Sequence, residues 1–324
     1  MRVVATAEVP AVARRAFAPL GEIVVRAGSL ADEALAEVLI VRGTPIDADT
    51  LALLPGLRAI ARTGAGYDNI DVEAATRRGV PIVYAPGVGS QPVAEGTVAL
   101  MLAAAKRLRE LGGVVEQGAW AARYEVAGLD IEGACLGILG YGSIGRRVAH
   151  LCRGLGMEVI AHDPALEPFT EPRVELVALE ELLERADVIT LHCELTDRTR
   201  GLVDRRLLTR VKPGAILVNV ARGQIVESED ALADALATGH LSAVALDVFP
   251  SEPPTPGHRL YADPRVICTP HAVGLTASWN EQVFCSLARD VQSVLAGELP
   301  ANVLNPEALA ASPTGPDRAP RSIL

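Results

Sequence analysis

The stretch Cys135-Leu-Gly-Ile-Leu-Gly140-Tyr-Gly142-Ser-Ile-Gly145 decides how this chain folds. It begins as a short apolar run, the pattern of a buried strand, and ends as Gly-x-Gly-x-x-Gly. Behind it Ile144, Val148, Leu151 and Cys152 recur at spacings of three and four, which predicts a helix. In a strand, glycine turn and helix, each glycine has a task. Gly140 permits the tight turn. Gly142 lacks a Cβ, so a diphosphate can approach the backbone. Gly145 lets the helix pack closely on the strand. The first helical N–H groups, which begin at Ser143 and Ile144, offer partial positive charge to phosphate. A second apolar run, Met157–Ala161, leads to Asp163, 18 residues after Gly145. A carboxylate at that strand tip accepts hydrogen bonds from a ribose diol and repels a 2′-phosphate, which points to NAD rather than NADP.

The rest of the chain is long enough for two domains. It has 324 residues, 49% of them hydrophobic, against about 150 residues for one domain. A net charge of −10 argues against nucleic acid as a partner, though a small anion can still bind a locally positive site. Lys106 and Lys212 are the only lysines. The five cysteines, Cys135, Cys152, Cys193, Cys268 and Cys285, form no C-x-x-C pair. Neither a metal site nor a disulfide framework is expected; buried thiols in a reducing cytoplasm are. Met1–Ala7 is too short for a signal peptide, and Lys106-Arg107 ends the apolar helix Thr97–Ala105 short of a membrane span.

Residues 1–85 alternate strand and helix: strands at Arg2–Ala5, Glu22–Val25, Val38–Val41, Leu57–Ala61 and Pro81–Tyr84, with helices at Pro10–Leu20, Ala31–Glu37, Asp47–Leu54 and Val72–Arg78. Such alternation predicts parallel strands covered by helices on both faces. Within it, Arg62-Thr-Gly64-Ala-Gly66-Tyr-Asp68-Asn-Ile-Asp71 follows a strand. Two glycines one residue apart expose backbone N–H groups that suit an anion; the same pattern also suits a plain turn before a helix capped by Asp71. A long helix, Val93–Ala105, continues in helical character through Leu108–Trp120 and could bridge two domains. After Asp163 come a polar loop, Pro164–Pro172, and strands at Val188–His192, Ala215–Val220, Leu241–Leu246 and Val266–Cys268. The helix Thr276–Ala296 could return to the first domain, and the tail from Asn305, rich in Ala, Pro and Ser, is expected to be disordered or draped on the surface.

Arg222, the Asp247…Glu252 pair and His271 each follow a strand, and in an open parallel sheet ligands bind beyond the strands' carboxyl ends. A guanidinium can grip a carboxylate with two prongs and polarise a carbonyl. An imidazole can give or take a proton near neutral pH, and a glutamate beside it fixes its orientation. Each group also has a structural alternative: a helix cap or a pair with Glu227 for Arg222, a solvated loop for Glu252, a turn for His271. The remaining histidines, 150, 162, 192, 240 and 258, show no such partners.

At these residues the chain resembles the D-isomer-specific 2-hydroxyacid dehydrogenase family, from about Leu57 to about Gly297. The carriers are Arg62–Asp71, Gly140–Gly145 with Asp163, Asn219–Gly223 with Val226-Glu227, Asp247–Glu252 and Thr269-Pro270-His271. The resemblance implies an α/β protein of two Rossmann-like or flavodoxin-like domains with parallel sheets, the cofactor domain (99–285) inserted in a substrate domain (1–98 and 286–304). It implies Arg222 as substrate clamp, Glu252 as histidine partner and His271 as acid–base catalyst, acting with NAD on a small 2-hydroxy or 2-oxo acid. Cofactor contacts are expected from Gly140, Gly142, Ser143, Ile144, Gly145, Asp163, Ala221, Arg222, Asp247, His271 and Gly274. Substrate contacts are expected from Arg62, Gly64, Ala65, Gly66, Arg77 and Arg222. Within the family the likeness is greatest to 3-phosphoglycerate dehydrogenases, then to hydroxypyruvate or glyoxylate reductases, and a homodimer is implied. A formate dehydrogenase and an NAD-sensing co-repressor share the fold as alternatives. One departure is Glu194, where the family usually has proline at the rim of the adenosine pocket; another is Glu227 in place of aspartate.

Overall fold

The computed structural model describes residues 1–166 and 174–311. The chain divides into two compact units, Met1–Gly89 together with the chain from Leu275 onward, and Ser90–Gly274. The divisions expected at 98/99 and 285/286 would each have cut through a helix, Ser90–Ala105 and Ala277–Leu295. Each helix instead belongs whole to one unit.

The first unit carries β1 (Val3–Ala5), β2 (Ile23–Val25), β3 (Val38–Val41), β4 (Ala59–Arg62) and β5 (Ile82–Val83) in one parallel sheet of order β2-β1-β3-β4-β5. This is the flavodoxin-like order. Apart from Arg62 at the tip of β4, its strands are apolar throughout because both faces are covered. The helices α1 (Ala11–Phe17), α2 (Ala48–Ala52) and α3 (Val72–Arg77) connect them. Asp47 and Asp71 cap α2 and α3, accepting Thr50 N and Ala74 N at 2.8 Å each. The helix expected at Ala31–Glu37 does not form; the segment is a series of turns. The Glu33 carboxylate, 1% exposed, turns inward to Arg2 and Arg26, each 2.6 Å away, and that ion pair outweighs local helix propensity.

The second unit is a seven-stranded parallel sheet. Its strands are β6 (Cys135–Leu139), β7 (Glu158–His162), β8 (Glu175–Leu176), β9 (Val188–Leu191), β10 (Ala215–Asn219), β11 (Leu241–Leu246) and β12 (Val266–Cys268). The order β12-β11-β10-β9-β6-β7-β8 is the Rossmann order extended by one strand. Around it lie α4 (Ser90–Ala105), α5 (Leu108–Glu116), α6 (Ser143–Gly154), α7 (Leu179–Arg185), α8 (Arg205–Leu208), α9 (Glu229–Ala237) and α10 (Arg259–Ala262). Alternate strand residues feed two cores: Leu217 packs with Leu182 and Leu232 on one face, Ile216 and Val218 with Val148 and Met101 on the other. The expected continuous helix after Val93 is interrupted: Arg107 adopts φ 55°, and α5 is followed by a separate 3-10 turn at Trp120–Tyr124. Of the polar loop expected over 164–172, residues 167–172 lie outside the described residues.

The chain then returns to the first unit as α11 (Ala277–Leu295), capped by Thr276 and closed by Gly297 at φ 82°, and α12 (Glu307–Ala311). The beginning of the tail is therefore not disordered. Asn305, fully buried, accepts Ile82 N at 2.8 Å and donates to Thr76 Oγ1 at 2.9 Å and Val80 O at 3.0 Å. Residues 312–324 lie outside the described residues. Among the described residues no helix is long and apolar enough to cross a membrane.

Candidate active site

The glycine turn opens at the tip of β6, beside β9, where the strand order of the sheet reverses. Gly140 has φ +94°, and a Cβ there would stand 2.5 Å from Cys193 N. Gly145 lies against the turn itself, with Gly140 O 2.4 Å from where a Cβ would be. Gly142 differs: a Cβ there would meet nothing within 4 Å. Its pro-Cβ direction is open space, the condition for a diphosphate to reach the backbone. No side chain caps α6 at Gly142, so the first-turn N–H groups of Ser143, Ile144 and Gly145 are left for an anion. Ser143 Oγ accepts a hydrogen bond from Ser90 Oγ at 3.1 Å, tying the turn to α4. Asp163 is braced by backbone, Oδ2 accepting Tyr141 N at 2.9 Å and Oδ1 accepting Ala165 N at 3.0 Å. Each oxygen keeps a further lone pair for a diol. The residues present fit a dinucleotide.

Three strand tips further along the sheet carry the polar groups. At β10, Asn219 is fully buried, accepts Ala221 N at 3.1 Å and donates to Arg222 O at 2.9 Å, shaping the turn that presents Arg222. The next residue, Gly223, sits against the loop after β11: a Cβ there would fall 1.9 Å from Phe249 C and 2.3 Å from Pro250 N. Gln224 Nε2 adds a bond to Pro250 O at 2.9 Å. That loop ends in Glu252, whose Oε1 accepts Phe249 N at 3.2 Å and whose Oε2 lies 2.7 Å from His271 Nδ1. Burial works against ionising Glu252, but the His271 bond and the charges of His271 and Arg222 outweigh it, and the carboxyl is held below its ordinary value. The structure thus joins Glu252 to His271 directly and brings the Arg222 charge to bear on Glu252.

His271 is one of two non-glycine residues with positive φ, at 51°, among the described residues. Its turn is held by Asp247, which is 3% exposed. Asp247 Oδ1 accepts Thr269 Oγ1 at 2.6 Å, Ala272 N at 2.8 Å and Val273 N at 3.1 Å, and Asp247 O accepts His271 N at 2.8 Å. Expected as a cofactor contact, Asp247 is engaged first in building this turn. Helix α4 closes on the same turn: a Cβ at Gly96 would fall 2.1 Å from Val273 Cγ2, and one at Gly274 would fall 2.6 Å from Val93 Cγ2. Asn219 and Thr269 lie within stretches that carry the family resemblance but are given no role of their own by it, and Gln224 and Gly96 are not singled out by the sequence.

In the first unit, the loop after β4 is ordered by backbone: Gly64, at φ +135°, donates to Arg62 O at 3.0 Å and accepts Ala85 N at 3.1 Å. Asn69 donates to Arg42 O and Thr44 O. Arg62 Nη1 donates to Thr63 O at 2.9 Å. Asp71 caps α3, so the loop is a helix-leading turn as well as a glycine-rich one. Arg77 stands at the other end of α3, six residues on at about 1.5 Å each, exposed and paired with Glu73 at 3.7 Å. Of the histidines set aside, His192 is kept neutral, burial pushing it down to about 3, with Nε2 2.9 Å from Thr190 Oγ1. No group of three or more His, Cys, Asp or Glu that could hold a metal occurs among the described residues.

Residues 98–273 match the family model described as "D-isomer specific 2-hydroxyacid dehydrogenase, NAD binding domain". The chain is 40% identical over 273 residues to D-3-phosphoglycerate dehydrogenase of Mycobacterium tuberculosis, covering 83% of this chain and 51% of that protein. It is 39% identical over 270 residues to glyoxylate reductase of Aeropyrum pernix, covering 81% of this chain and 80% of that one. The solved TT0316 protein from Thermus thermophilus superposes with a TM-score of 0.87 at 36% identity, covering 94% of this chain and all of that one. The chain therefore belongs to the D-isomer-specific 2-hydroxyacid dehydrogenase family, and its second unit is an NAD-binding domain. It spans about half the length of the phosphoglycerate dehydrogenases it matches.

Proposed function

We propose that this protein is an NAD-dependent oxidoreductase of small D-2-hydroxy and 2-oxo acids. The observation that supports it most is the 2.7 Å contact of Glu252 with His271 Nδ1, under the charge of Arg222 and on the same sheet edge as the glycine turn. Bound NAD would supply the two-electron chemistry, taking a hydride equivalent from C2 of a 2-hydroxy acid or returning one to a 2-oxo acid. The chain's own residues do the rest. Gly140–Gly145 and Asp163 hold the diphosphate and ribose, and Ala221, Asp247 and Gly274 shape the turns around the nicotinamide end. Arg222 grips the substrate carboxylate and polarises the carbonyl. With Nδ1 turned to Glu252, His271 presents Nε2 to the substrate oxygen, delivering a proton in reduction and taking one in oxidation. In the first unit, Arg62, Gly64, Ala65 and Gly66 form a loop suited to an acid group, with Arg77 as a further cation at the far end of α3 for a phosphorylated one.

A panel of glyoxylate, hydroxypyruvate, its phosphorylated counterpart and pyruvate, followed by NADH consumption, tests this. Turnover of one or more is expected. Tight NADH binding with no turnover of any would sink the enzyme and favour a sensor of the dinucleotide. The glutamate on His271 speaks against formate chemistry, whose histidine is usually paired with glutamine. A homodimer and a cytoplasmic setting belong to the same proposal. Leu108, Val115, Trp120 and Tyr124, 55–81% exposed along α5 and the turn after it, offer the apolar surface a second copy would cover.

A further inference from the structure

Glu194 occupies a position that the cofactor site makes consequential. In the second unit, strand numbers rise outward in both directions from the boundary between β6 and β9. A dinucleotide lies in the crevice beyond that boundary. One wall is the glycine turn after β6. The other is the loop after β9, which begins His192-Cys193-Glu194. The two walls touch, because a Cβ on Gly140 would stand 2.5 Å from Cys193 N and 2.7 Å from Cys193 Cα.

The carboxylate Asp163 follows β7, on the far side of β6. Leu139 of β6 pairs with Leu191 of β9 on one side and His162 of β7 on the other, so the three tips end level. Neighbouring strands are about 4.8 Å apart, which puts the tips of β7 and β9 about 10 Å apart with the glycine turn between them. Glu194 is exposed, and its backbone is fixed: Thr199 Oγ1 donates to Glu194 O at 2.6 Å and accepts Thr196 N at 2.8 Å.

We propose that Glu194 is a second specificity-determining carboxylate, which together with Asp163 brackets the adenosine end of the cofactor and excludes a 2′-phosphate from both sides. The inference rests on the second unit binding a dinucleotide. The fields of both carboxylates meet at one atom: burial pushes the Cys193 thiol up to about 11, and the charges of Asp163 and Glu194 add to it. A 2′-phosphate carries nearly two negative charges, and at about 10 Å a carboxylate changes its affinity by about tenfold.

Titration with NADPH and with NADH, followed by reduced-nicotinamide fluorescence, tests this without turnover. Glu194→Gln should bind NADPH about tenfold tighter than wild type, and the gain should shrink as salt is raised, which a purely structural change would not do. In the Asp163→Asn background, adding Glu194→Gln should give a further gain of similar size. NADPH affinity unmoved by Glu194→Gln in both backgrounds, or a gain indifferent to salt, would overturn the inference while NADH binding by wild type still stands. A wild type that takes neither dinucleotide would instead sink the cofactor assignment beneath it.

Discussion

Gly223→Ala tests most sharply how the polar groups are held together. A methyl there would lie 1.9 Å from Phe249 C and 2.2 Å from Phe249 O, while ordinary contact begins near 3.4 Å, so the loops must part by about 1.5 Å (3.4 − 1.9). The obstacle is backbone and cannot rotate away. Phe249 lies three residues before Glu252, whose Oε1 accepts its N–H, and Glu252 in turn holds His271 at 2.7 Å. A displacement of about 1 Å at a reacting group lowers turnover by about 100-fold. Overpacking of this kind costs about 1–3 kcal/mol, a fall in Tm of about 3–8 °C. Turnover of the best 2-oxo acid from the panel should therefore drop by about two orders of magnitude. NADH affinity should stay within about threefold, since the glycine turn is built elsewhere on the sheet. Turnover within about threefold of wild type at an unchanged Tm would refute the interlock.

Gly142→Ala should do the reverse, leaving Tm unchanged because its Cβ meets nothing within 4 Å, yet weakening NADH binding by about tenfold or more in a titration. His271→Ala should lose turnover by about 1000-fold with NADH binding retained, a result that steady-state kinetics and fluorescence titration separate. Glu33 carries a pH signature. Burial opposes its charge, Arg2 and Arg26 outweigh that, and its carboxyl is held below the usual range. Its contribution is thus present above the unfolded value of about 4.3 and disappears as pH falls through the folded one. In thermal melts Glu33→Gln should cost about 2 kcal/mol at pH 7, and the gap to wild type should close on acidification toward pH 3.

What could be read from the chain beforehand was whatever is local. The strand before Gly140, the helix after Gly142 and the acid at Asp163 lie within one continuous stretch, and their spacing carries the physics. The strand tips bearing Arg222, Glu252 and His271 were legible for the same reason. What stayed hidden depends on partners distant in sequence. Gly223 needs its hydrogen because of Phe249, and Gly96 because of Val273; nothing near either glycine announces this. Ala31–Glu37 reads as a helix until the carboxylate of Glu33 is pulled inward by arginines 31 and 7 residues away. Asn305 sits in a stretch of featureless composition, yet its single amide makes three bonds, two to residues before β5 and one to its first residue. The break at Arg107 is likewise a backbone event that an apolar pattern does not register.

The corner that carries His271 hangs on one oxygen atom. Thr269, Ala272 and Val273 all donate to Asp247 Oδ1, and three donors on one oxygen favour its ionised form. Burial works the other way and prevails, pushing the Asp247 carboxyl up, against the ionised form. A neutral amide oxygen in the same place would offer two lone pairs to three donors and hold them less strongly. The anion is thus part of the architecture of the bend, and the same charge is felt by the imidazole the bend carries.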